Sequence, residues 1–186
     1  MRVQDRKKDL PTSIPIFNKE AQQINQHLNT FTENELAHWM KLSPSLANQT
    51  HCNIQQFGKK GQSHGPAMLS YAGDVYKGLM AETLTDKHLQ FAQKHVVILS
   101  GMYGVLKPLD VIYPYRLEMG ISIKIGKASS LYKFWGDKIA KTITLWANGP
   151  IINLASEEYF SAVGPFLDPQ NIIHIHFREK INGKLQ

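Results

Sequence analysis

Basic side chains are the first residues in this sequence whose chemistry points to a partner. Lys41, Lys59 and Lys60 lie within residues 36–73, a stretch that contains three histidines and no carboxylate. Lysines without nearby carboxylates attract polyanions, and phosphate groups in particular. Arg116 adds a planar fork of donors that matches two phosphate oxygens at once. The candidate phosphate-binding residues are Lys41, Lys59, Lys60, Lys107 and Arg116.

Lys107 and Arg116 need separate interpretations. Lys107 precedes Pro108, so it lies in a rigid, positively charged turn that could line the same groove as the other basic residues. Arg116 and Glu118 are two residues apart, and on a strand their side chains would point to the same face and could pair. The alternative interpretation of Arg116 is therefore a structural ion pair, with either Glu118 or Asp110.

A second set of polar residues could form a catalytic site. Carboxylates can transfer protons or share a metal ion, and a serine at a helix N-terminus can help to bind an anion. Asp74 is more simply explained as a helix cap, and Tyr103 as a core residue with its hydroxyl outside, although a tyrosine can also stack on a base. The catalytic candidates are Asp74, Tyr103, Glu118, Ser156 and Glu158.

Cofactor and metal motifs do not accompany these candidates. The Walker, GxGxxG, HExxH and CxxC spacings do not occur, and Cys52 is the one cysteine. His174 and His176 alternate on a predicted strand, but the sequence offers no evident third metal ligand. We therefore predict no cofactor and no metal site, and we favour a binding protein over an enzyme.

Helix signals dominate the first third of the chain. Asn18 precedes a helical pattern, and Thr32 with Glu35 forms a capping box before a second helix. Ser43-Pro44 breaks that helix, and a third is predicted through Leu46 to Phe57. Two short helices around a tight turn resemble a helix–hairpin–helix, which binds the duplex backbone without reading sequence. The alternative is a helical corner that covers the sheet with Trp39 and Leu42.

Strands alternate with helices in the rest of the chain. Helices are predicted to begin at Asp74, at Thr85 and at Ser129 or Ser130, the last being the longest. Strands 96–99 and 151–154 end in polar loops, which converge if the two strands are parallel neighbours. The pattern predicts an α/β fold, with a mixed sheet flanked by helices and an N-terminal helical element. The predicted strands are 67–71, 96–99, 115–117, 121–125, 151–154 and 172–177.

Length, composition and charge limit the possible classes of protein. The 186 residues fit a single domain 1–186, with a helical third at about 16–65 and an α/β body at about 66–186. The net charge of +6 supports a polyanionic partner. No apolar run approaches the ~20 residues of a membrane span, and residues 1–10 lack the apolar core of a signal peptide. We expect a cytoplasmic protein with no membrane partner.

Four segments rich in glycine, tyrosine, proline and charged residues resemble the sequences of a known family. They read YAGDVYKGLMAETL at 71–84, VVILSGMYGVLKPLD at 96–110, YPYRLEMG at 113–120 and NLASEEYF at 153–160. Through them the chain resembles the YaaA family of bacterial peroxide-stress proteins, from about residue 16 to 178. Members usually begin with a strand leading into Ser-Pro-Ala-Lys and continue beyond this chain's last residue, so the resemblance is to a member shortened at both ends.

The resemblance implies protection against hydrogen peroxide, linked in that family to limiting free intracellular iron. It also implies DNA binding by a helix–hairpin–helix element in the helical third. Residues 42–45 of this chain lack the glycine that such a hairpin usually has, and Pro44 removes an amide donor. We expect sequence-independent binding of duplex DNA. The rival hypothesis is an enzyme that acts on a nucleotide or a nucleic-acid base in an α/β pocket.

Overall fold

The computed structural model describes residues 11–175, 180–181 and 184–185. The helices are α1 (Asn18–Leu28), α2 (Glu33–Met40), α3 (Pro44–Gln56), α4 (Ala67–Ser70), α5 (Asp74–Leu79), α6 (Asp86–His95), α7 (Leu131–Trp135), α8 (Lys138–Trp146) and α9 (Glu157–Phe160). The strands are β1 (Gly65–Pro66), β2 (Ile98–Ser100), β3 (Gly104–Leu106), β4 (Val111–Ile112), β5 (Ile151–Asn153), β6 (Ile172–His174), β7 (Lys180–Ile181) and β8 (Lys184–Leu185). This mixture of helices and short strands agrees with the predicted α/β class.

The strands form separate two-stranded sheets in the described part of the chain, where one mixed sheet was expected. β1 pairs with β4, β2 with β3 and β7 with β8, all antiparallel, whereas β5 and β6 are parallel. Because β2 and β5 lie in different sheets, their loops do not share one carboxyl-terminal sheet edge. Two-stranded sheets are marginal alone, so helices and connecting segments must supply most of the packing.

Local sequence signals determine where the helices of the helical third begin. Thr32 Oγ1 accepts a hydrogen bond from the Glu35 N–H, and Glu35 Oε2 accepts one from the Thr32 N–H at 2.7 Å, so the predicted capping box is confirmed. Ser43 Oγ accepts the Leu46 N–H at 3.4 Å, and Pro44 occupies the first helical position of α3. Residues 41–43 therefore connect two helices that pack against each other.

Several predicted elements differ in the structure because distant contacts override the local pattern. Residues 67–71 were predicted as a strand, but α4 occupies most of them, since the Ala67 N–H donates to the Asp110 carbonyl at 2.8 Å. Segments 115–117 and 121–125 pair in no ladder, although Ile123 and Ile125 are buried with exposed residues between them. The last predicted strand, 172–177, begins with β6, and its residues 176–177 lie outside the described residues.

The long helix predicted after Ser130 is two helices. Ser130 caps α7 by accepting the Lys133 N–H, as expected, but α7 ends at Trp135. Gly136 follows with φ of +51°, outside the helical region, and α8 begins at Lys138. This break lets Trp135 be fully buried, with its Nε1–H donating to the Gly101 carbonyl at 3.0 Å.

Trp135 lies where the two parts of the chain pack together. Its ring centroid is 5.5 Å from that of Phe17, and side chains from both the helical third and the body join one hydrophobic cluster. Gly104, at the start of β3, has φ of +68°, and an added Cβ there would lie 2.8 Å from the Trp135 ring. The β2–β3 hairpin therefore packs against Trp135 through a residue that has to be glycine.

A buried carboxylate organises the turn between β3 and β4. Asp110 is 3% exposed, and its Oδ1 accepts a hydrogen bond from the Ser13 hydroxyl at 2.6 Å. Its Oδ2 accepts one from the Lys107 N–H at 2.8 Å. Gln93 of α6 donates to Ser13 Oγ at 3.3 Å and accepts from the Leu109 N–H at 2.8 Å. This polar network joins three distant segments of sequence.

We expect Gly104→Ala to lower the free energy of unfolding by roughly 1–3 kcal/mol, because the new Cβ meets the Trp135 ring and the backbone is left-handed there. Urea unfolding followed by circular dichroism measures this change. Gly78→Ala is the matched control, since a Cβ on Gly78 of α5 meets nothing within 4 Å. Equal stability of the two variants would contradict the role assigned to Gly104.

Candidate nucleic-acid interface

Lys41 lies at the turn between α2 and α3 in an unusual backbone conformation. Its φ of 51° and ψ of 48° place it in the left-handed region, where glycine or asparagine is the common occupant at the end of a helix. Its N–H donates to the His38 carbonyl, and Leu42 donates to the Ala37 carbonyl at 2.9 Å. The turn therefore holds an exposed lysine in a left-handed conformation directly after α2.

Lys59 and Lys60 are exposed in the loop that follows α3. Gly58 has φ of +74° and its N–H donates to Gln62 Oε1 at 2.9 Å, which closes the loop on itself. Phe57 anchors the start of the loop to the body, because its ring centroid is 5.3 Å from that of Tyr113. The loop thus presents two adjacent lysines on a base that is packed against the core.

Lys107 and Arg116 are both bound to partners in the body. Lys107 Nζ lies 4.6 Å from the centroid of the Trp146 ring, a cation–π contact. Arg116 donates to Glu118 Oε1 at 3.1 Å, so the structural ion pair expected as its alternative is present, and pairing with Asp110 is not. The Arg116 and Glu118 side chains are about half exposed, so the pair contributes little to stability.

The surface around Lys41 is polar and contains no carboxylate in α3. Asn48 of α3 donates to Glu33 Oε2 at 2.9 Å, which pairs one acidic residue at the start of α2 with an uncharged neighbour. Residues 45, 48, 49, 55 and 56 are exposed serine, asparagine or glutamine. Such side chains contact phosphate and sugar in protein–DNA interfaces but do not by themselves select a sequence.

The catalytic candidates lie in different environments. Asp74 is the first residue of α5 and not the cap that was predicted. It is exposed, and it accepts a hydrogen bond from Lys77 at 2.9 Å, which lowers the pKa of Asp74. Glu158 accepts the Gly120 N–H at 2.8 Å, and Ser156 precedes α9 without capping it. Tyr103 is buried, and its hydroxyl oxygen accepts the Tyr113 N–H at 3.1 Å.

Glu118 and Glu158 are two catalytic candidates that act on the same side chain, that of Tyr159. Desolvation, with smaller contributions from the Glu158 and Glu118 carboxylates, raises the pKa of Tyr159 to about 12. Asp74 pairs with Lys77 instead. Residues 61–65 also match the Gly-x-Ser-x-Gly spacing of hydrolase nucleophiles, but Ser63 lies in a loop after α3 and not on the strand-to-helix turn that this chemistry uses.

A chain of three hydroxyl groups lies between α4 and β2, and sequence analysis missed it. The Tyr115 hydroxyl is 2.6 Å from the Tyr71 hydroxyl and 2.6 Å from Ser100 Oγ, which also accepts the Tyr103 N–H at 2.9 Å. The Tyr71 ring stacks on Tyr76 of α5 at 5.1 Å. The high density of tyrosine was the available signal, but residues 44 apart in sequence give no spacing pattern.

Burial controls the ionisation of these tyrosines. Desolvation raises the pKa of Tyr76 to about 12 and raises the pKa values of Tyr71, Tyr103 and Tyr115 above the ordinary tyrosine range. Tyrosine hydroxyl groups are neutral near pH 7 in any case, and burial extends this neutral range to higher pH. They act as hydrogen-bond donors and acceptors inside the body.

The described residues contain neither a candidate metal site nor a helix that could span a membrane. No group of three or more histidine, cysteine, aspartate or glutamate side chains is arranged to hold a metal ion there. His176, one of the two histidines considered as metal ligands, lies outside that part of the chain. No helix in the same residues is both long and apolar enough to cross a membrane.

Fold and surface together define a small α/β protein with a helical corner where an exposed lysine follows α2 and α3 contains no carboxylate. A family model described as "Peroxide stress protein YaaA" matches residues 1–186. This chain therefore belongs to the YaaA family of peroxide stress proteins, as the four sequence runs indicated.

Relatives in three bacteria share most of the chain. UPF0246 proteins of Acaryochloris marina, Caulobacter vibrioides and Polaromonas sp. are 38%, 36% and 40% identical to it, over 175, 181 and 176 residues. These alignments cover 92%, 95% and 91% of this chain and 69%, 71% and 68% of the respective relatives. The designation UPF0246 states no activity for these relatives.

We expect the stability of the protein to fall between about pH 10 and pH 12. The pKa of Tyr76 is 10.0 in an ordinary environment and about 12 in the folded protein, so the unfolded chain releases this proton first. The stabilisation is complete below pH 10 and is lost as the pH rises toward 12. Urea unfolding of wild type and Tyr76→Phe at pH 8, 10 and 11 measures the effect.

The phenylalanine variant keeps the ring that stacks on Tyr71 but cannot ionise. It should match wild type at pH 8 and lose less stability than wild type at pH 11. Lysine deprotonation affects both proteins equally, so it cancels in the comparison. Identical losses in the two proteins would show that Tyr76 does not contribute.

Proposed function

We propose that this protein protects the cell during peroxide stress by binding duplex DNA without reading its sequence. The observation that carries the proposal is the α2–α3 corner, where Lys41 is exposed beside a helix without carboxylates. Lys59 and Lys60 extend the positive charge from the other end of α3. Backbone phosphates are the partner that fits such a surface, since lysine acts on them as a point charge.

The corner acts as a helix–hairpin–helix element in this proposal, with a modified hairpin. The usual hairpin brings glycine amides to the phosphate, whereas here Lys41 takes the left-handed position and Pro44 has no amide donor. Binding therefore depends on side-chain charge more than on backbone amides. A purely electrostatic contact of this kind weakens steeply with salt and tolerates any base sequence.

Lys107 and Arg116 form a second, weaker part of the same phosphate-binding surface. Their partners, the Trp146 ring and Glu118, hold the cationic groups in place without burying the Arg116 guanidinium. An exposed ion pair exchanges readily, so Arg116 can leave Glu118 for a phosphate at little cost. The protein would act in the cytoplasm and, through the family's link to free intracellular iron, reduce the damage that iron and peroxide cause together.

We expect Lys41→Glu combined with Lys59→Glu to weaken binding of a duplex several-fold at low salt. Each phosphate contact that is lost should reduce the slope of log K against log salt by about 1, so the double variant should lose about 2. Fluorescence anisotropy with a labelled duplex at several salt concentrations measures both quantities. Lys87→Glu with Lys94→Glu on α6 makes the same change in net charge away from the corner.

The α6 control separates a local interface from the effect of total charge. If both double variants weaken binding equally, the corner is not the interface. Asp74→Asn and Glu118→Gln should not weaken duplex binding, because neither carboxylate contacts a phosphate in the proposal and Glu118→Gln leaves Arg116 free for one. Loss of activity on a nucleotide substrate in Glu118→Gln, with DNA binding intact, would instead favour the enzyme hypothesis.

Lys41→Gly removes the charge of Lys41 by a substitution that should not destabilise the protein. Glycine takes the left-handed conformation without strain, so we expect the melting temperature to be unchanged or higher than that of wild type. The same variant should bind duplex DNA more weakly, because a charge is lost from the turn. Unchanged binding by this well-folded variant would remove Lys41 from the interface.

A further inference from the structure

A surface cavity between the first two helices has the composition of a site for an unpaired base. Its volume is about 510 Å³, within the range of ligand sites. It lies between the end of α1, helix α2 and the extended segment that begins after Gly120. The lining residues are His27, Phe31, Trp39, Ser122, Lys124 and Gly126. Sequence analysis assigned Trp39 only to packing.

Three aromatic rings form one wall of this cavity. The Phe31 centroid is 4.2 Å from that of Trp39 and 5.2 Å from that of His27. Trp39 remains 40% exposed, whereas Trp135 in the core is fully buried. The capping box of Thr32 and Glu35 fixes the start of α2, so the rings are held by a rigid helix end. An exposed indole on such a support can stack against a flat ligand.

A lysine and a serine form the opposite wall. Residues 121–125 alternate, with Ile123 and Ile125 buried and Ser122 and Lys124 exposed toward the cavity. Two hydrogen bonds between Ile125 and Ala128, of 2.9 and 3.0 Å, close the turn beside it. No carboxylate among the described residues lies within ion-pair distance of Lys124. Its charge is therefore available to an anion.

We propose that this cavity binds one unpaired nucleobase of a DNA strand, with the base stacked on Trp39 and its phosphate at Lys124. A flat aromatic group joined to a negative charge is the ligand that complements an exposed indole facing an uncompensated cation. Trp39 lies in the last turn of α2 and Lys41 directly follows that helix, so the cavity and the α2–α3 turn share one end of α2. The inference rests on the proposed DNA binding and adds a preference for DNA with unpaired bases.

Stacking on an aromatic residue gives a preference of roughly fivefold or more for each base, because it contributes about 1–3 kcal/mol. The test compares a fully paired duplex with the same duplex carrying one unpaired nucleotide, both followed by fluorescence anisotropy. Wild type should bind the second DNA about fivefold or more tightly than the first. Trp39→Leu and Lys124→Gln should remove that preference while still binding the paired duplex.

Lys127→Gln is the matched control, because Lys127 is also exposed on the same segment but does not line the cavity. It should keep the preference of wild type. A second measurement uses tryptophan fluorescence, which the unpaired DNA should quench in wild type and not in Trp39→Leu. If Trp39→Leu fails to melt cooperatively, Lys124→Gln against Lys127→Gln decides the question.

The outcomes separate this inference from the proposed function. Equal binding of the two DNAs by wild type, or a preference that survives in Lys124→Gln, overturns the base site and leaves duplex binding intact. No binding of either DNA by wild type overturns both. A preference lost in the two cavity variants and kept in Lys127→Gln supports the base site.

Discussion

The buried carboxylate of Asp110 is the constraint on which the rest of the body depends. A charged group that is 3% exposed must have its oxygens satisfied, and here the Ser13 hydroxyl and the Lys107 N–H do so. The Asp110 carbonyl in turn accepts the Ala67 N–H and so starts α4. Gln93 connects the same network to α6. Since none of the small sheets is stable alone, this network and the hydrophobic cluster hold them in place.

Trp135 packs the body against the helical third. It packs against Phe17 on one side and against Gly104 on the other, while its indole N–H reaches the Gly101 carbonyl. A Cβ at Gly101 would come within 2.6 Å of the Leu117 carbonyl oxygen, so this glycine permits close packing of two backbones. The basic corner and the tyrosine cluster are thus carried by one continuous core.

Charge is distributed unevenly over this scaffold, and the distribution matters more than the total. The five basic candidates fall into two kinds: Lys41, Lys59 and Lys60 are exposed in the helical third, whereas Lys107 and Arg116 already have partners. The acidic candidates and buried tyrosines lie in the body, away from the α2–α3 turn. The proposed binding surface follows this distribution, with the exposed lysines of the helical third as its main part and Lys107 and Arg116 of the body as its weaker part.

The sequence by itself determined the family, the α/β class and the elements with local signals: the capping box at Thr32, the Ser43-Pro44 break and the helix starts at Thr85 and at Ser129 or Ser130. These signals act over three or four residues, so they can be recognised without the fold. Tertiary structure alone decided that 67–70 is helical, that Gly136 divides a helix and that Ser100 meets Tyr71 and Tyr115. Each depends on contacts between residues far apart in sequence, which override local propensity and leave no spacing pattern.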